Sequence, residues 1–135
     1  MNEPHTKGNV LLVDDDQFLL DLYSTKFARE GYNIHTCVSP KEALDVLRSG
    51  FVPDVILFDI SMPEQDGFSF LQTLLDEHLA PNSSLITLTN RSTDADKIKA
   101  EQLGASRYIV KATMIPAELV ATVAEVIAKK TTSGL

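Results

Sequence analysis

Four short runs made almost wholly of apolar residues interrupt this chain, and they limit its fold more than any other feature. They are Val10 to Val13, Val55 to Phe58, Leu85 to Leu88 and Tyr108 to Val110. A run without polar alternation suits a strand buried on both faces, the situation inside a parallel sheet. A fifth segment reads differently. In Ile34 to Val38, Ile34, Thr36 and Val38 alternate with His35 and Cys37. That pattern fits a less buried edge strand.

Helical patterns separate the five runs. The first spans about Asp16 to Arg29, with Leu19, Leu22, Tyr23 and Phe27 on or near one face and Gly31 as its stop. The second opens at Ser39-Pro40, a capping hydroxyl followed by a proline at the first helical position. Ala43, Leu44 and Leu47 give it a face, and Gly50 ends it. The third carries Phe68, Leu71, Leu74 and Leu75. The fourth starts near Ser92 or Thr93, carries Ile98 and Leu103 and ends at Gly104. The fifth starts at Pro116 and carries Leu119, Val120, Val123, Val126 and Ile127.

Strict strand–helix alternation implies a parallel sheet covered by helices on both faces. Right-handed crossovers leave few topologies. With the second strand at an edge, the expected class is α/β, a flavodoxin-like (βα)5 doubly wound parallel sheet of order 2-1-3-4-5. The chain of 135 residues supports one domain, expected over 9–130. Residues 1–8 are expected to be frayed, and Thr131 to Leu135 to form a polar tail or the start of a linker.

In open sheets of this kind, ligands bind beyond the carboxyl ends of the strands. Those ends carry Asp14, Asp15 and Asp16 after the first strand and Asp59 after the third. Thr89, Asn90 and Arg91 follow the fourth, and Lys111 follows the fifth. In the expected order, strands one and three are neighbours, so Asp14, Asp15 and Asp59 converge. Two unit charges ~5 Å apart repel by roughly 3 kcal/mol at an effective dielectric of ~20. A carboxylate therefore takes up a proton, or a cation binds. Mg²⁺ is the natural cation, since it takes oxygen ligands and recruits phosphate oxygens. With Lys111 and Thr89 nearby, the set suits phosphoryl transfer to a carboxylate nucleophile.

The pieces Val10 to Asp16, Asp59 to Gly67, Leu88-Thr89 and Gly104 to Lys111, each just past or within a strand, resemble the receiver domain of two-component response regulators, of the chemotaxis-regulator kind. The resemblance covers about residues 9 to 129. It implies that Asp59 is phosphorylated by a sensor histidine kinase or a histidine phosphotransfer protein. It implies that Asp15 ligates Mg²⁺ directly, Asp14 mainly through water, and that Asp59 and the backbone carbonyl of Ser61 complete the metal site. Lys111 contacts the phosphate, and Thr89 and Tyr108 form the switch pair. Ser61, Asn90 and Arg91 tune the rates. Phosphorylation then changes a partner-binding face made by the fourth helix, fifth strand and fifth helix. Such a domain catalyses only its own phosphorylation and dephosphorylation.

Two positions depart from the family pattern. Proline often follows the lysine, where this chain has Ala112, and the residue after the threonine is usually small, where it has Asn90. A cis peptide before a non-proline residue costs about 2.5–4 kcal/mol. The Lys111–Ala112 bond is therefore expected to be trans, with a rerouted loop from Ala112 to Ile115 and a looser Lys111.

Plainer readings exist for each residue. Asp14 to Asp16 could cap the first helix, and Asp16 is expected to do so. Thr89 could be an ordinary strand threonine, Tyr108 core packing, Lys111 a surface lysine and Cys37 a small buried hydrophobe. His5, His35 and His78 lack ligand spacing. Among other functions, a haloacid-dehalogenase-like phosphatase also uses an aspartate and Mg²⁺, and Asp14-Asp15-Asp16 contains its Asp-x-Asp spacing. Neither a cap insertion nor a late acidic pair accompanies it here. A pseudo-receiver would lack phosphorylation residues that this chain has. A net charge of −7 argues against direct nucleic-acid binding and against docking on anionic membranes. A single cysteine, no signal-peptide pattern and no ~20-residue apolar stretch make the cytoplasm the default location.

Overall fold

The computed structural model describes residues 6–62 and 66–133, with side chains to residue 130. Pro63, Glu64 and Gln65 of the third-strand motif, and Glu3 and His5, lie outside the described residues. The elements run β1 (Asn9–Val13), α1 (Gln17–Arg29), β2 (Asn33–Cys37), α2 (Pro40–Arg48), β3 (Val55–Phe58), α3 (Gly67–Asp76), β4 (Ser84–Thr89), α4 (Asp94–Gln102), β5 (Ala105–Val110), a 3-10 turn (Lys111–Thr113) and α5 (Pro116–Ser133). All strands pair in parallel, in the order β2-β1-β3-β4-β5. This is the flavodoxin-like order expected from the sequence.

The two faces of the sheet explain the continuous apolar runs. Val10 and Leu12 of β1, Val55 and Leu57 of β3, and Ile86 and Leu88 of β4 pack with Leu20, Tyr23, Phe27, Leu119 and Val123 under α1 and α5. Their neighbours Leu11, Val13, Ile56 and Phe58 pack with Ala43, Leu47, Phe70, Leu71 and Ala100 under α2, α3 and α4. Successive strand residues point to opposite faces, and here both faces are dry. β2, at the edge, alternates exposed and half-buried residues. Cys37 at its end is buried, and burial pushes its thiol pKa up to about 12, so it stays a neutral, inert thiol at physiological pH.

The helix starts follow their capping residues. Asp16 accepts the Leu19 N–H, Ser39 the Glu42 N–H, Asp66 the Ser69 N–H and Thr93 the Asp96 N–H. Gly31 after α1 and Gly104 after α4 sit at φ +95° and +105°, a conformation that favours glycine.

Several details differ from the expectation. Leu22, Leu75 and Ile98, expected on packed helix faces, are exposed. α1 packs through Leu20, Tyr23 and Phe27, and α3 adds Phe70. In α4, Ala100 is the buried residue, and Ile98, two positions away, lies about 200° round the helix. β5 begins three residues before the apolar run, because a second edge strand is less covered on both faces and tolerates an exposed Ser106 and a half-buried Arg107. α5 continues to Ser133, past the expected end at Lys130. Of the segment expected to be frayed, Lys7 donates its N–H to the Gly31 carbonyl.

Candidate functional site

Sheet register brings the site together. Val13 of β1 lies beside Phe58 of β3, and Thr89 of β4 beside Val110 of β5. The Asp59 N–H donates to the Val13 carbonyl, and the Asp14 N–H to the Cys37 carbonyl. Asp14 and Asp59 are thus the first residues past two adjacent, fully buried strands. Both remain almost fully buried, at 1% and 5% exposure. Asp15 is exposed beside them, and ligand oxygens of Asp14, Asp15 and Asp59 all lie within 4.8 Å of one another.

Each buried carboxylate has one oxygen held by the backbone two residues on. Asp14 Oδ1 accepts the Asp16 N–H at 2.9 Å, and Asp59 Oδ1 accepts the Ser61 N–H at 2.8 Å. The other two oxygens share Lys111. Its Nζ is 2.7 Å from Asp59 Oδ2, where it donates a hydrogen bond, and 2.6 Å from Asp14 Oδ2. The ammonium is the neighbour of the buried Asp14 Oδ2, which takes no other side-chain or backbone donor among the described residues. Burial raises the Asp14 pKa above the usual carboxylate value, against the hydrogen bond and charge of Lys111. For Lys111, burial works to lower the pKa. The hydrogen bonds and charges of Asp14 and Asp59 outweigh it, and the lysine ends above its ordinary value, firmly cationic. One cation thus faces three carboxylates. Three carboxylates whose oxygens lie within 4.8 Å of one another are the donor set a hard divalent cation takes.

The Lys111–Ala112 peptide is trans, since the described residues contain no cis bond. Lys111 Nζ reaches two carboxylates, and the 3-10 turn begins at Lys111 itself, leaving β5 in register up to Val110.

Asp16 turns away to cap α1, so the Asp-x-Asp pair of the phosphatase reading is split between the pocket and the helix. Thr89 is fully buried, and its Oγ1 accepts the Arg91 N–H at 3.3 Å. The Tyr108 hydroxyl donates to the Arg91 carbonyl. Burial, and after it the charge of Asp96, raises the phenol pKa and keeps it a donor. The backbone of Arg91 therefore joins Thr89 to Tyr108. Its guanidinium pairs with Asp96 at 2.8 Å and lies over the Phe68 ring, 5.6 Å from its centroid. Asn90 Oδ1 accepts the Ala112 N–H at 2.9 Å.

Sequence reasoning missed two supports. Asp66 caps α3, and Gly67 lies against the segment that leaves β3: a Cβ there would sit 2.6 Å from Ile60 Cα and 2.7 Å from the Asp59 carbonyl oxygen. Asp-Gly three residues beyond a proline was the available signal, read as part of a motif and not as a contact.

The profile of the response regulator receiver domain matches residues 10–124. The response regulator SaeR of Staphylococcus epidermidis is 35% identical over 93% of this chain and 53% of its own length. SaeR of Staphylococcus aureus is 37% identical over 83% of this chain and 47% of its own. The chain thus spans about half the length of these curated relatives. Among solved structures, a CheY-like receiver domain from Methanospirillum hungatei superposes with a TM-score of 0.84 at 25% identity, covering 93% of this chain and 97% of that one. Vibrio cholerae CheY4 gives 0.80 at 27%, covering 87% and 97%.

Proposed function

Because the chain belongs to the response regulator receiver family of two-component signalling, we propose that it accepts a phosphoryl group on Asp59 from a histidine kinase or histidine phosphotransfer protein. The observation that carries this reading is the Asp59 carboxylate. It is buried, held by the Ser61 N–H and the Lys111 ammonium, and flanked by two further carboxylates. In the reaction, an Asp59 carboxylate oxygen attacks phosphorus, a P–O bond forms, and the P–N bond to the donor histidine breaks. The Ser61 N–H fixes the carboxylate's orientation. Lys111 stays cationic and neutralises phosphoryl oxygens, as a preorganised charge does best in a water-poor site. Thr89 Oγ1 accepts the Arg91 N–H, which leaves its hydroxyl hydrogen to donate to a phosphoryl oxygen.

Asp14, Asp15, Asp59 and the Ser61 carbonyl would hold Mg²⁺. Bound there, the ion supplies charge neutralisation and orientation of the phosphoryl oxygens. Supporting a protein phosphodonor, Phe18 (78% exposed) and Leu22 stand open on α1, the helix that begins just past Asp15 and Asp16. An unpaired apolar pair beside the acceptor suits docking of a partner helix. The proposed output is a change at Thr89, Arg91 and Tyr108 that alters the α4–β5–α5 face, a shift between existing states. No helix among the described residues is long and apolar enough to cross a membrane, which fits the proposed cytoplasmic setting. Ser61, Asn90 and Arg91 are proposed to set how fast phosphate arrives and leaves.

The test is incubation with acetyl phosphate and Mg²⁺, read by intact mass. The expected result is one added phosphate, absent in Asp59→Asn. Undiminished labelling in that variant refutes the assignment, and steady turnover of a generic phosphate ester would favour a phosphatase.

A further inference from the structure

We propose that Asn90 is a positioning residue for Lys111, acting through the backbone of Ala112. The inference rests on the reading of Lys111 as the group that contacts the phosphoryl oxygens.

β4 and β5 stay in register to their last pair, Thr89 and Val110. Beyond that pair the two chains diverge into separate loops. Asn90 Oδ1, accepting the Ala112 N–H at 2.9 Å, adds one more link across the gap. Lys111 therefore sits between two fixed points, Val110 in the sheet and Ala112 on the Asn90 amide. The turn that follows is closed by its own bonds, Met114 N–H to the Lys111 carbonyl and the Thr113 hydroxyl to the Val110 carbonyl. Those bonds shape the turn but do not tie it to β4. Asn90 does so. A long, flexible side chain reaches two carboxylates at 2.6 and 2.7 Å reproducibly only if its Cα is held.

The two positions at which the sequence departs from the receiver pattern are the two ends of this bond. Proline after the lysine would offer no N–H, and a small residue after the threonine would offer no amide oxygen at that reach. Each departure supplies what the other needs.

The experiment is a double-mutant cycle on the phosphorylation rate of Asp59, with acetyl phosphate and Mg²⁺ as the probe. It is paired with amide exchange of Ala112 and the Lys111 Nζ resonance by NMR. Asn90→Ala should slow phosphorylation on the order of fivefold, the scale of one lost neutral hydrogen bond. In a Lys111→Ala background it should add no further loss, because Asn90 works through Lys111. Ala112 exchange should accelerate in Asn90→Ala, and Asn90→Asp, which keeps an acceptor, should restore its protection. An equal slowing in both backgrounds overturns the proposal and makes Asn90 a direct contact. Unchanged Ala112 exchange in Asn90→Ala overturns it as well. If the unsubstituted protein takes no phosphate, the phosphorylation reading fails by itself. The Ala112 exchange and the Lys111 Nζ resonance then decide the positioning alone: a Lys111 signal unmoved by Asn90→Ala refutes it.

Discussion

Asp14 and Asp59 end two central strands buried on both faces, and each carboxylate is gripped by a backbone N–H two residues on. Thr89, Asn90 and Tyr108 stand on or beside β4 and the edge strand β5, and their side chains bond to loop backbone. The two halves of one rim are thus held by different means. In the acidic half the geometry is imposed by the sheet, and the local conflict is electrostatic: three carboxylates against one lysine. In the β4–β5 half the geometry depends on single side-chain hydrogen bonds, part-buried at Thr89 and exposed at Tyr108 and Asn90, and on a partly exposed ion pair. Such links open at low cost. A pocket that must fix reacting groups benefits from the first design, and a surface that must change benefits from the second.

The comparison can be broken most forcefully at Gly67. Its Cβ-less surface lies against Ile60 Cα and the Asp59 carbonyl. Gly67→Ala should destabilise the fold by about 3 kcal/mol, the upper end of overpacking costs, because backbone cannot step aside. Urea unfolding measures it. A loss near zero would mean that the acidic half is softer than its burial implies.

Next comes Lys111→Ala. It leaves two buried carboxylates and Asp15 facing one another without a cation. The expected cost is about 2 kcal/mol at neutral pH without Mg²⁺, below the 3–5 kcal/mol of a fully buried broken pair since the lysine is partly exposed. Added Mg²⁺ should recover more stability in this variant than in the parent. Thermal melts with and without the ion compare them, and equal recovery would deny that lysine and metal answer the same charge.

In the parent protein, Mg²⁺ at ~10 times its Kd should add about 1.4 kcal/mol. Asp15→Asn should remove most of that gain, since Asp15 is the exposed member of the cluster and owes nothing to packing. A melting temperature unmoved by Mg²⁺ would count against the site.

The smallest stability effect belongs to the other half. Arg91→Ala removes an exposed ion pair with Asp96 and the contact over Phe68, and should cost no more than about 1 kcal/mol. Its signature is elsewhere: resonances of Tyr108 and Thr89 should move while those of Asp14 do not. Shifts spread evenly over both halves would mean that the two halves of the rim are not held by different means.

Much of this was legible beforehand for a physical reason. Strands buried on both faces write unbroken apolar runs, so β1, β3 and most of β4 stand out, and with them the residues that follow. Asp14, Asp59, Thr89 and Lys111 were found because they sit immediately past such runs. The start of β5 is hidden in the sequence, since Ser106 and Arg107 on an edge strand look like loop. Ile98 was placed on the packed face of α4 because hydrophobicity alone does not say which side of a sparsely apolar helix meets the sheet. The missing proline after Lys111 is visible in the sequence, but the partner that Asn90 offers the Ala112 N–H from 22 residues earlier is not.

The sequence by itself determined the alternation, the strand order and the identity of the acidic and basic groups at the rim. Those follow from periodicity and from chain connectivity, which are local or nearly so. Only the tertiary structure decided which oxygen each donor takes, that Lys111 bridges Asp14 and Asp59, that Arg91 joins Thr89 to Tyr108 through its backbone, and that Asn90 meets Ala112. Hydrogen bonds depend on tenths of an ångström and on angles. Between residues far apart in the chain, those quantities exist only once the sheet has set its register.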